Sequence, residues 1–483
     1  MRFIAMFLCC ALTLGLFGCS TEKKTEAAPK TFQVGYARVS ITPNYSVPLG
    51  GYGKSDQRMS QGFLNYQYAT CIAVTDADDS TVLLIGLDAG SVPDFTVEPT
   101  KKAITEATGI APERILLNAT HTHSGVDLTY TSTPAIQKFL PEYYANIAQA
   151  AKEALADRSP ATMETGAGYT ENLNFVRNYT TSSGELYGDN LALNGTITGH
   201  TSEPDNQIQL IRFVRAAKDK KDILAVNWQA HPKLDSTAET PEGVANRPML
   251  SADFVGVARD YVEANSDVLF AFYLGAAGNL NPISKIPGEH ITTDCKVYGD
   301  LLGGHIIQGM ESLKPVEKSQ MKVTLTQRHC EAIYDHSEDH KLDDAKKIQA
   351  AWAASDVSTA YASAMAAVPD AEIYSPYHAF SIISRSRQTA YSKSLELNAV
   401  RIGNVAVATF PYEMFDVNAM FVKDNSPFDT TFILSLCNGN SGYLAAEYAF
   451  QGKGIYETQN RSFERGTAEN MANNMVEMLK SLE

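Results

Sequence analysis

The chain has 483 residues, of which 44% are hydrophobic and 20% charged, a balance typical of a globular protein with a sizeable core. Acidic residues number 55 against 40 basic ones, which gives a net charge of -15. Because nucleic-acid binding requires a basic surface, this excess of negative charge argues against a nucleic-acid partner. It indicates neither a substrate nor an oligomeric state.

The N-terminus has the pattern of an export signal. A short basic start precedes an apolar run over residues 3–17, which is too short to span a bilayer as a mature helix. The run ends in Leu-Phe-Gly-Cys19, a sequence similar to the end of a bacterial lipoprotein signal. We therefore predict a signal peptide over residues 1–18, followed by a lipidated Cys19 and a polar tether that together cover residues 19–30.

This N-terminus also predicts where the protein works. Ser20 after the cysteine resembles the signal that sorts lipoproteins to the outer membrane, so we expect a lipid-anchored protein of the bacterial cell envelope, with the membrane as a partner. Four other cysteines then remain in an oxidising compartment: Cys71, Cys295, Cys330 and Cys437. The sequence leaves a Cys295–Cys330 disulfide open, and the lack of a Cys-x-x-Cys motif gives no sign of a thiolate zinc site.

From residue 31 onward, predicted strands alternate with predicted helices. Helices are predicted over residues 98–108, 141–157, 253–264 and 464–482, and a polar, Ala-rich helical stretch over 335–366 is predicted to be a surface excursion. Strands are predicted over 32–42, 68–74, 81–87, 208–214, 223–227, 268–273, 395–402, 405–410 and 430–436, with another beginning at 115. The alternation predicts an α/β fold: mixed, largely buried β-sheets flanked by helices in one large domain over residues 31–483.

The strand that begins at Ile115 carries His121 and His123 at its C-terminal end. Residues two apart on a strand point to the same face, so the two imidazoles would meet at one point. Such a pair suits a divalent metal, or one ligand and one proton shuttle. Taken alone, the pair fits two ordinary loop histidines equally well.

Other apolar strands end in polar residues in the same way. His231 follows the strand over 223–227, and Glu413 follows the strand over 405–410. Ligands gather at the C-terminal ends of strands in open α/β sheets, so we expect a site there. Taken singly, His231 is more typical of a structural histidine and Glu413 of the first turn of a helix.

Six short motifs occur in order along the chain: 119–125 (Ala-Thr-His-Thr-His-Ser-Gly), 174–178, 226–231 (Val-Asn-Trp-Gln-Ala-His), 277–280 (Ala-Gly-Asn-Leu), 411–415 (Pro-Tyr-Glu-Met-Phe) and 438–447. In this order they resemble the motifs of the neutral ceramidases, zinc amidohydrolases that cleave the N-acyl bond of ceramide. The resemblance runs from about residue 35 to the C-terminus and is weakest from about 285 to 390.

The resemblance implies a zinc site and a mechanism. Its zinc ligands would be His121, His231, Glu413 and Tyr443, and two imidazoles with one carboxylate form a common catalytic zinc shell. The implied reaction is attack of metal-activated water on the amide of a ceramide-like N-acyl lipid. In it, His123 carries a proton from the water to the leaving amine, and Arg177 with Tyr443 stabilises the oxyanion. Taken singly, Tyr443 would be expected in the core and Arg177 in a surface ion pair.

The chain departs from the family pattern at Asn281, where the ceramidases have a serine assigned to the reacting centre. Asparagine can donate a hydrogen bond but cannot act as a nucleophile, so attack by water remains possible and a serine acyl-enzyme does not. We also expect the chain to lack the C-terminal β domain of characterised ceramidases. Two alternatives therefore remain open: a zinc esterase or amidase for a non-sphingolipid substrate, and a surface lipoprotein that binds without catalysis.

Overall fold

The computed structural model describes residues 31–188, 196–235, 248–356 and 358–483. The predicted signal peptide, Cys19 and the tether lie outside these ranges. No helix in the described ranges is both long enough and apolar enough to cross a bilayer. The four cysteines left open by the sequence are all buried and free, so the Cys295–Cys330 disulfide does not form.

Most strands of the two main sheets consist mainly of buried residues. In chain order the strands of the described ranges are β1 (Gln33–Ser40), β2 (Gly62–Phe63), β3 (Tyr68–Thr75), β4 (Thr81–Leu87), β5 (Ile115–Ala119), β6 (Ser159–Tyr169), β7 (Phe175–Val176), β8 (Asn178–Thr181), β9 (Leu186–Gly188), β10 (Ile197–His200), β11 (Gln207–Arg215), β12 (Asp222–Trp228), β13 (Met249–Leu250), β14 (Val268–Leu274), β15 (Leu280–Asn281), β16 (Lys314–Pro315), β17 (Val323–Ile333), β18 (Ser392–Ile402), β19 (Val405–Phe410), β20 (Glu413–Met414), β21 (Thr430–Ser435) and β22 (Tyr443–Leu444).

The α-helices lie mostly on the outer faces of the two main sheets. In chain order they are α1 (Asp94–Thr108), α2 (Pro134–Ala156), α3 (Asp253–Asn265), α4 (Cys295–Gly309), α5 (Leu342–Ala354), α6 (Ala360–Ala366), α7 (Pro376–Ser386), α8 (Asp416–Asp424), α9 (Tyr456–Gln459) and α10 (Thr467–Lys480). The start predicted for α2 at residue 141 is wrong by seven residues. The helix begins instead where the Thr133 side chain accepts a hydrogen bond from the Ile136 N–H and Pro134 occupies the first position, which is a strong start signal.

Two main sheets make up the centre of the described structure. The larger has nine described strands in the order β14-β12-β11-β6-β1-β3-β4-β5, with β16 beside β6. The pairs β4–β5 and β12–β14 are parallel and the remaining pairs are antiparallel. The smaller sheet has the order β17-β18-β19-β21, with β19 and β21 parallel. The predicted α/β class with mixed sheets and flanking helices is confirmed.

The strand β4 shows how the layers are packed. Leu83 and Ile85 join the core formed with helices α1–α4, whereas Val82 and Leu84 join the core between the two sheets. Every residue of β4 is buried, because each of its faces is covered by another layer. Helices α8 and α10 cover the outer face of the smaller sheet. Truncating Leu84 to alanine would cost about 2–5 kcal/mol of the free energy of unfolding.

Buried asparagines join the C-terminal ends of strands from different sheets. The amide of Asn118, on β5, donates to the Ser435 carbonyl at 2.5 Å and accepts from the Leu274 N–H at 2.8 Å. The Asn227 amide, on β12, donates to the Ile433 carbonyl at 2.9 Å and accepts from its N–H at 3.0 Å. These contacts bring the ends of β5, β12, β14 and β21 to one place.

Part of the helical stretch predicted to be a surface excursion covers the loop over residues 50–54. Helices α5–α7, which we call the helical cap, have a small core of their own. They pack against the loop over residues 50–54: the Gly53 N–H donates to the Tyr377 hydroxyl at 3.2 Å, and Lys54 donates to the Ser355 carbonyl. A Cβ on Gly53 would lie 2.6 Å from the Trp352 ring, so this contact requires a residue without a side chain.

Candidate metal centre

Two of the residues expected to bind metal follow strands of the larger sheet, and the other two lie on a separate pair of short strands. His121 follows β5 and His231 follows β12. Glu413 is on β20 and Tyr443 on β22, and these short parallel strands place the two residues opposite each other. The chain thus brings together four side chains that are far apart in sequence.

The prediction that His121 and His123 lie on the strand that begins at Ile115 is wrong. Pairing between β4 and β5 stops at Leu87 and Ala119, so both histidines lie in the loop that follows. His121 has a left-handed backbone, with φ 70°, and its N–H donates to the Ala89 carbonyl at 2.9 Å. The two rings still meet, with centroids 5.0 Å apart, because this turn brings them together.

Two backbone carbonyls fix the orientation of the histidine rings. The Nδ1–H of His121 donates to the Gly90 carbonyl at 2.6 Å, and that of His231 to the Leu280 carbonyl at 3.1 Å. Each bond leaves Nε2 as the nitrogen with a lone pair. The two Nε2 atoms lie 3.2 Å and 3.3 Å from the same oxygen, Oε2 of Glu413.

Several polar atoms of this cluster are buried without a hydrogen-bond partner. They are Nε2 of His121, Nδ1 of His123 and Oε2 of Glu413. Buried polar atoms are nearly always hydrogen-bonded, so unpartnered atoms that converge call for an explanation. Imidazole nitrogens and a carboxylate oxygen are ligands of divalent transition metals, and the cluster fits such an ion. One nitrogen from each of His121, His123 and His231 lies within 4.8 Å of the others, so His123 is also within reach of a ligand role.

Burial and neighbouring charge act in opposite directions on this cluster. Burial disfavours the charge on His121, but the Glu413 carboxylate outweighs it and raises the pKa of this imidazole. Burial likewise disfavours ionised Glu413, but His121 and His231 hold the pKa of Glu413 well below its ordinary value. Burial and the Arg177 charge lower the pKa of His231 to about 3. Glu413 is therefore ionised and His231 neutral, the forms in which both bind metals.

Tyr443 and Arg177 stand beside the histidines. The Tyr443 hydroxyl lies 3.4 Å from Nε2 of His231 and accepts from Nη2 of Arg177 at 3.3 Å. Burial and the Glu413 charge raise the pKa of Tyr443 well above its ordinary value, so the phenol is neutral. Nη1 of Arg177 donates to Oδ1 of Asn281 at 3.4 Å, which places Asn281 at the same site.

His123 forms the wall of a small cavity. Its N–H donates to the Pro232 carbonyl at 2.9 Å, and the Tyr52 ring packs edge-on against it at 5.3 Å. Burial and the charges of the neighbouring histidines hold the pKa of His123 well below its ordinary value. A Cβ on Gly51 (φ 89°) would lie 2.6 Å from His123, so the loop passes this ring closely. The cavity has a volume of about 170 Å³ and is lined mostly by small or polar residues, Ser91, Thr129 and Asn440 among them.

The structure thus brings together all the residues predicted for the site: His121, His123, Arg177, His231, Asn281, Glu413 and Tyr443. It adds Glu457, to which sequence analysis gave no role. Glu457 lies beyond the last of the six motifs and follows no apolar strand, so neither the motifs nor the strand ends pointed to it. The catalytic and ligand roles of the seven predicted residues stay predictions.

Comparison with solved structures gives the fold class and then a resemblance to a family. The chain has an α/β fold similar to that of a neutral ceramidase from Pseudomonas aeruginosa, with TM-score 0.66 and 16% identity over 94% of this chain and 74% of that one. A second structure, a ceramidase complexed with C2, has TM-score 0.65 and 16% identity over 94% and 75%. No protein-family model matches the sequence, and a search of curated proteins gave no significant match. The chain has the neutral ceramidase fold, and the predicted resemblance is confirmed at that level.

Proposed function

We propose that the protein is a zinc-dependent amidohydrolase that cleaves the N-acyl amide bond of ceramide or a related N-acyl lipid. One observation carries the proposal: Nε2 of His121 and Nε2 of His231 converge on one buried oxygen, Oε2 of Glu413, at 3.2 Å and 3.3 Å, and within the described structure neither Nε2 of His121 nor this oxygen has a hydrogen bond. The ceramidase fold supports the choice of an amide substrate.

His121, His231 and Glu413 would hold the zinc ion, with Tyr443 as a more distant ligand. When bound, zinc supplies a Lewis acid that polarises the scissile carbonyl and makes water acidic near neutral pH. The protein contributes rigid ligands, because the Gly90 and Leu280 carbonyls fix both imidazole rings. Three protein ligands, with Tyr443 more distant, would leave a position for water and substrate.

The proton transfer is assigned to His123. Nδ1 of His123 is buried without a partner, and one ring nitrogen of His123 lies within 4.8 Å of a ring nitrogen of each of the other two histidines. Nδ1 of His123 would take a proton from the attacking water and return it to the leaving amine. Attack by water also agrees with Asn281, which cannot serve as a nucleophile.

Stabilisation of the developing oxyanion is assigned to Arg177 and Tyr443. The Tyr443 hydroxyl adjoins Nε2 of His231, and Nη2 of Arg177 lies 3.3 Å from that hydroxyl, so a carbonyl held there would lie beside both side chains and would compete with Tyr443 for the Arg177 N–H. Loss of one such donor typically lowers kcat by about 10²–10³-fold. Asn281 would hold the guanidinium and donate from its amide.

A second candidate is a zinc amidase or esterase for a smaller, more polar substrate. The cavity at His121 and His123 is about 170 Å³, below the about 300–1,000 Å³ usual for ligand pockets. Its polar residues suit a short acyl group better than a long chain. Comparison of kcat/KM for long-chain ceramide, a short N-acyl amide and a short ester separates the two candidates.

The proposal is tested by metal content and by product release. Purified protein should contain about one zinc per chain and release fatty acid from ceramide. A chelator should abolish turnover, and zinc should restore it. Turnover that persists in the fully metal-free protein, or a protein that cannot be loaded with zinc, contradicts the proposal.

We further propose that lipid on Cys19 anchors the protein to the outer membrane of a bacterial envelope. The support is the sequence around Cys19. Metabolic labelling with a radioactive fatty acid should mark the full-length protein, and Cys19→Ala should remove both the label and the membrane association. Label that survives this substitution contradicts the anchor.

A further inference from the structure

A buried ion pair lies behind the proposed oxyanion donors. Glu457 is 0% exposed and Arg177 is 7% exposed. Nε of Arg177 donates to Oε1 of Glu457 at 2.6 Å. A carboxylate in such a place is stable only when paired, and this pair joins α9 to the segment between β7 and β8.

The bond to Glu457 fixes the direction of the guanidinium. A guanidinium is planar, so an acceptor held at Nε determines where Nη1 and Nη2 point. In this structure Nη2 donates to the Gly278 carbonyl at 2.8 Å and to the Tyr443 hydroxyl at 3.3 Å. Without the Nε acceptor, the plane would be held only by these two contacts and by the bond of 3.4 Å from Nη1 to Oδ1 of Asn281.

The same carboxylate affects the charge balance. Arg177 contacts the Tyr443 hydroxyl, which lies 3.4 Å from the nitrogen of His231 assigned to the metal. The positive charge of Arg177, so close to the residues assigned to the metal, disfavours binding of a divalent cation. The repulsion between the two charges is only weakly screened in a buried site. The Glu457 carboxylate at 2.6 Å offsets the charge of Arg177.

We propose that Glu457 is a positioning residue that sets the plane of the Arg177 guanidinium and cancels its charge beside the metal ligands. The inference rests on the zinc hydrolase function proposed above. It assigns to Glu457 two separable effects, one on turnover through orientation and one on metal affinity through charge.

Three variants separate these effects by zinc affinity and steady-state kinetics. Glu457→Gln, which keeps an acceptor but loses the charge, should weaken zinc binding about 10-fold, within the range for residues behind metal ligands. Glu457→Asp, which keeps the charge but shortens the reach, should retain zinc affinity and lower kcat with little change in KM. The double variant Arg177→Met, Glu457→Gln should regain zinc affinity but not kcat.

Zinc affinity is measured by competition with a fluorescent chelator, so it does not depend on turnover. Glu447→Gln is the matched control, because Glu447 lies on the same C-terminal segment in an exposed pair with Arg465 and should change neither quantity. If Glu457→Gln fails to fold, the double variant remains, since it removes both buried charges together.

Wild-type zinc affinity in Glu457→Gln overturns the charge effect, and wild-type kcat in Glu457→Asp overturns the positioning effect. A double variant that binds zinc as weakly as Glu457→Gln also contradicts the proposal. If the wild-type protein binds zinc but these variants match it, only this inference fails. If the wild-type protein binds no zinc, the proposed function fails with it.

Discussion

Two buried clusters in the described structure hold metal-ligating side chains close together, and they differ in how their polar atoms are satisfied. In the first cluster, with His121 and Glu413, atoms that point inward have no hydrogen-bond partner. In the second cluster, Asp253 accepts from the Asp235 N–H at 2.7 Å and from the Phe254 N–H at 2.8 Å. Sγ of Cys295 lies 3.8 Å from the same carboxylate.

Proximity of ligand types alone therefore does not define a metal site. Both clusters contain suitable atoms within 4.8 Å of one another. In the second cluster the Asp253 carboxylate accepts from two backbone N–H groups, one of them at the start of α3, and the Ser251 hydroxyl donates to Asp235. None of Asp235, Asp253 and Cys295 contributes an unpartnered buried side-chain atom to the described structure. The first cluster alone has capacity left for a cation.

The largest effect is expected from His121→Ala. Loss of this ligand should reduce bound zinc to near zero and lower kcat/KM by about 10³-fold, as expected when several kcal/mol of Lewis-acid stabilisation are lost. Zinc is measured by mass spectrometry on the purified protein. His329→Ala, on the exposed part of β17, is the control. If His121→Ala retained one full equivalent of zinc, the metal would lie elsewhere and the first cluster would not be the metal site.

Arg177→Lys should have the next largest effect. Lysine keeps the charge but cannot reach Glu457, Gly278 and Tyr443 together from one planar group. We expect kcat to fall about 10²-fold while KM and zinc content change little. Arg465→Lys, in an exposed ion pair, serves as the control. An unchanged kcat would show that the guanidinium geometry has no part in catalysis.

Asn118→Ala tests what supports the first cluster. It leaves the Leu274 N–H and the Ser435 carbonyl without partners, so the free energy of unfolding should fall by about 3 kcal/mol. Zinc affinity should fall about 10-fold, because the strand ends that carry the ligands are no longer joined. Chemical denaturation and chelator competition measure the two quantities. Asn473→Ala, on the exposed face of α10, should change neither.

The smallest effect concerns pH and the second cluster. Burial and the Asp235 charge raise the pKa of Asp253 to about 7, whereas an unfolded aspartate has a pKa of about 4. Between these two pKa values, Asp253 is protonated in the folded protein more than in the unfolded one. The contribution of Asp253 to the free energy of unfolding therefore falls as pH rises from about 4 to about 7.

Asp253→Asn should remove this part of the pH dependence. Asparagine tolerates the left-handed backbone of this position, where φ is 56°, so the substitution suits the local fold. Thermal unfolding of the wild-type protein and the variant across this pH range measures the difference between them. Parallel curves would show that Asp253 does not titrate there.

Apolar strands that end in polar residues predicted the fold class and the positions of His121, His123, His231 and Glu413, whereas Arg177, Asn281 and Tyr443 followed only from the resemblance to the ceramidase motifs. β4, β12 and β19 were found from apolar runs, and His231 and Glu413 follow two of them. β6 and β17 were missed because residues such as Thr162 and Gln327 interrupt any apolar pattern. The burial of Glu457 and the contact of Trp352 with Gly53 depend on tertiary packing, which local pattern does not contain.

The left-handed backbone of His121 has a consequence for how this site can change. At φ 70° a β-branched residue is disfavoured, whereas asparagine and aspartate adopt this conformation readily. Of the common metal ligands, aspartate is thus the replacement that the backbone accepts most easily. An exchange of His121 for Asp would give a harder, oxygen-richer donor set, which favours ions such as Mn²⁺ or Mg²⁺ over Zn²⁺. One loop conformation therefore limits which side chains can readily replace His121.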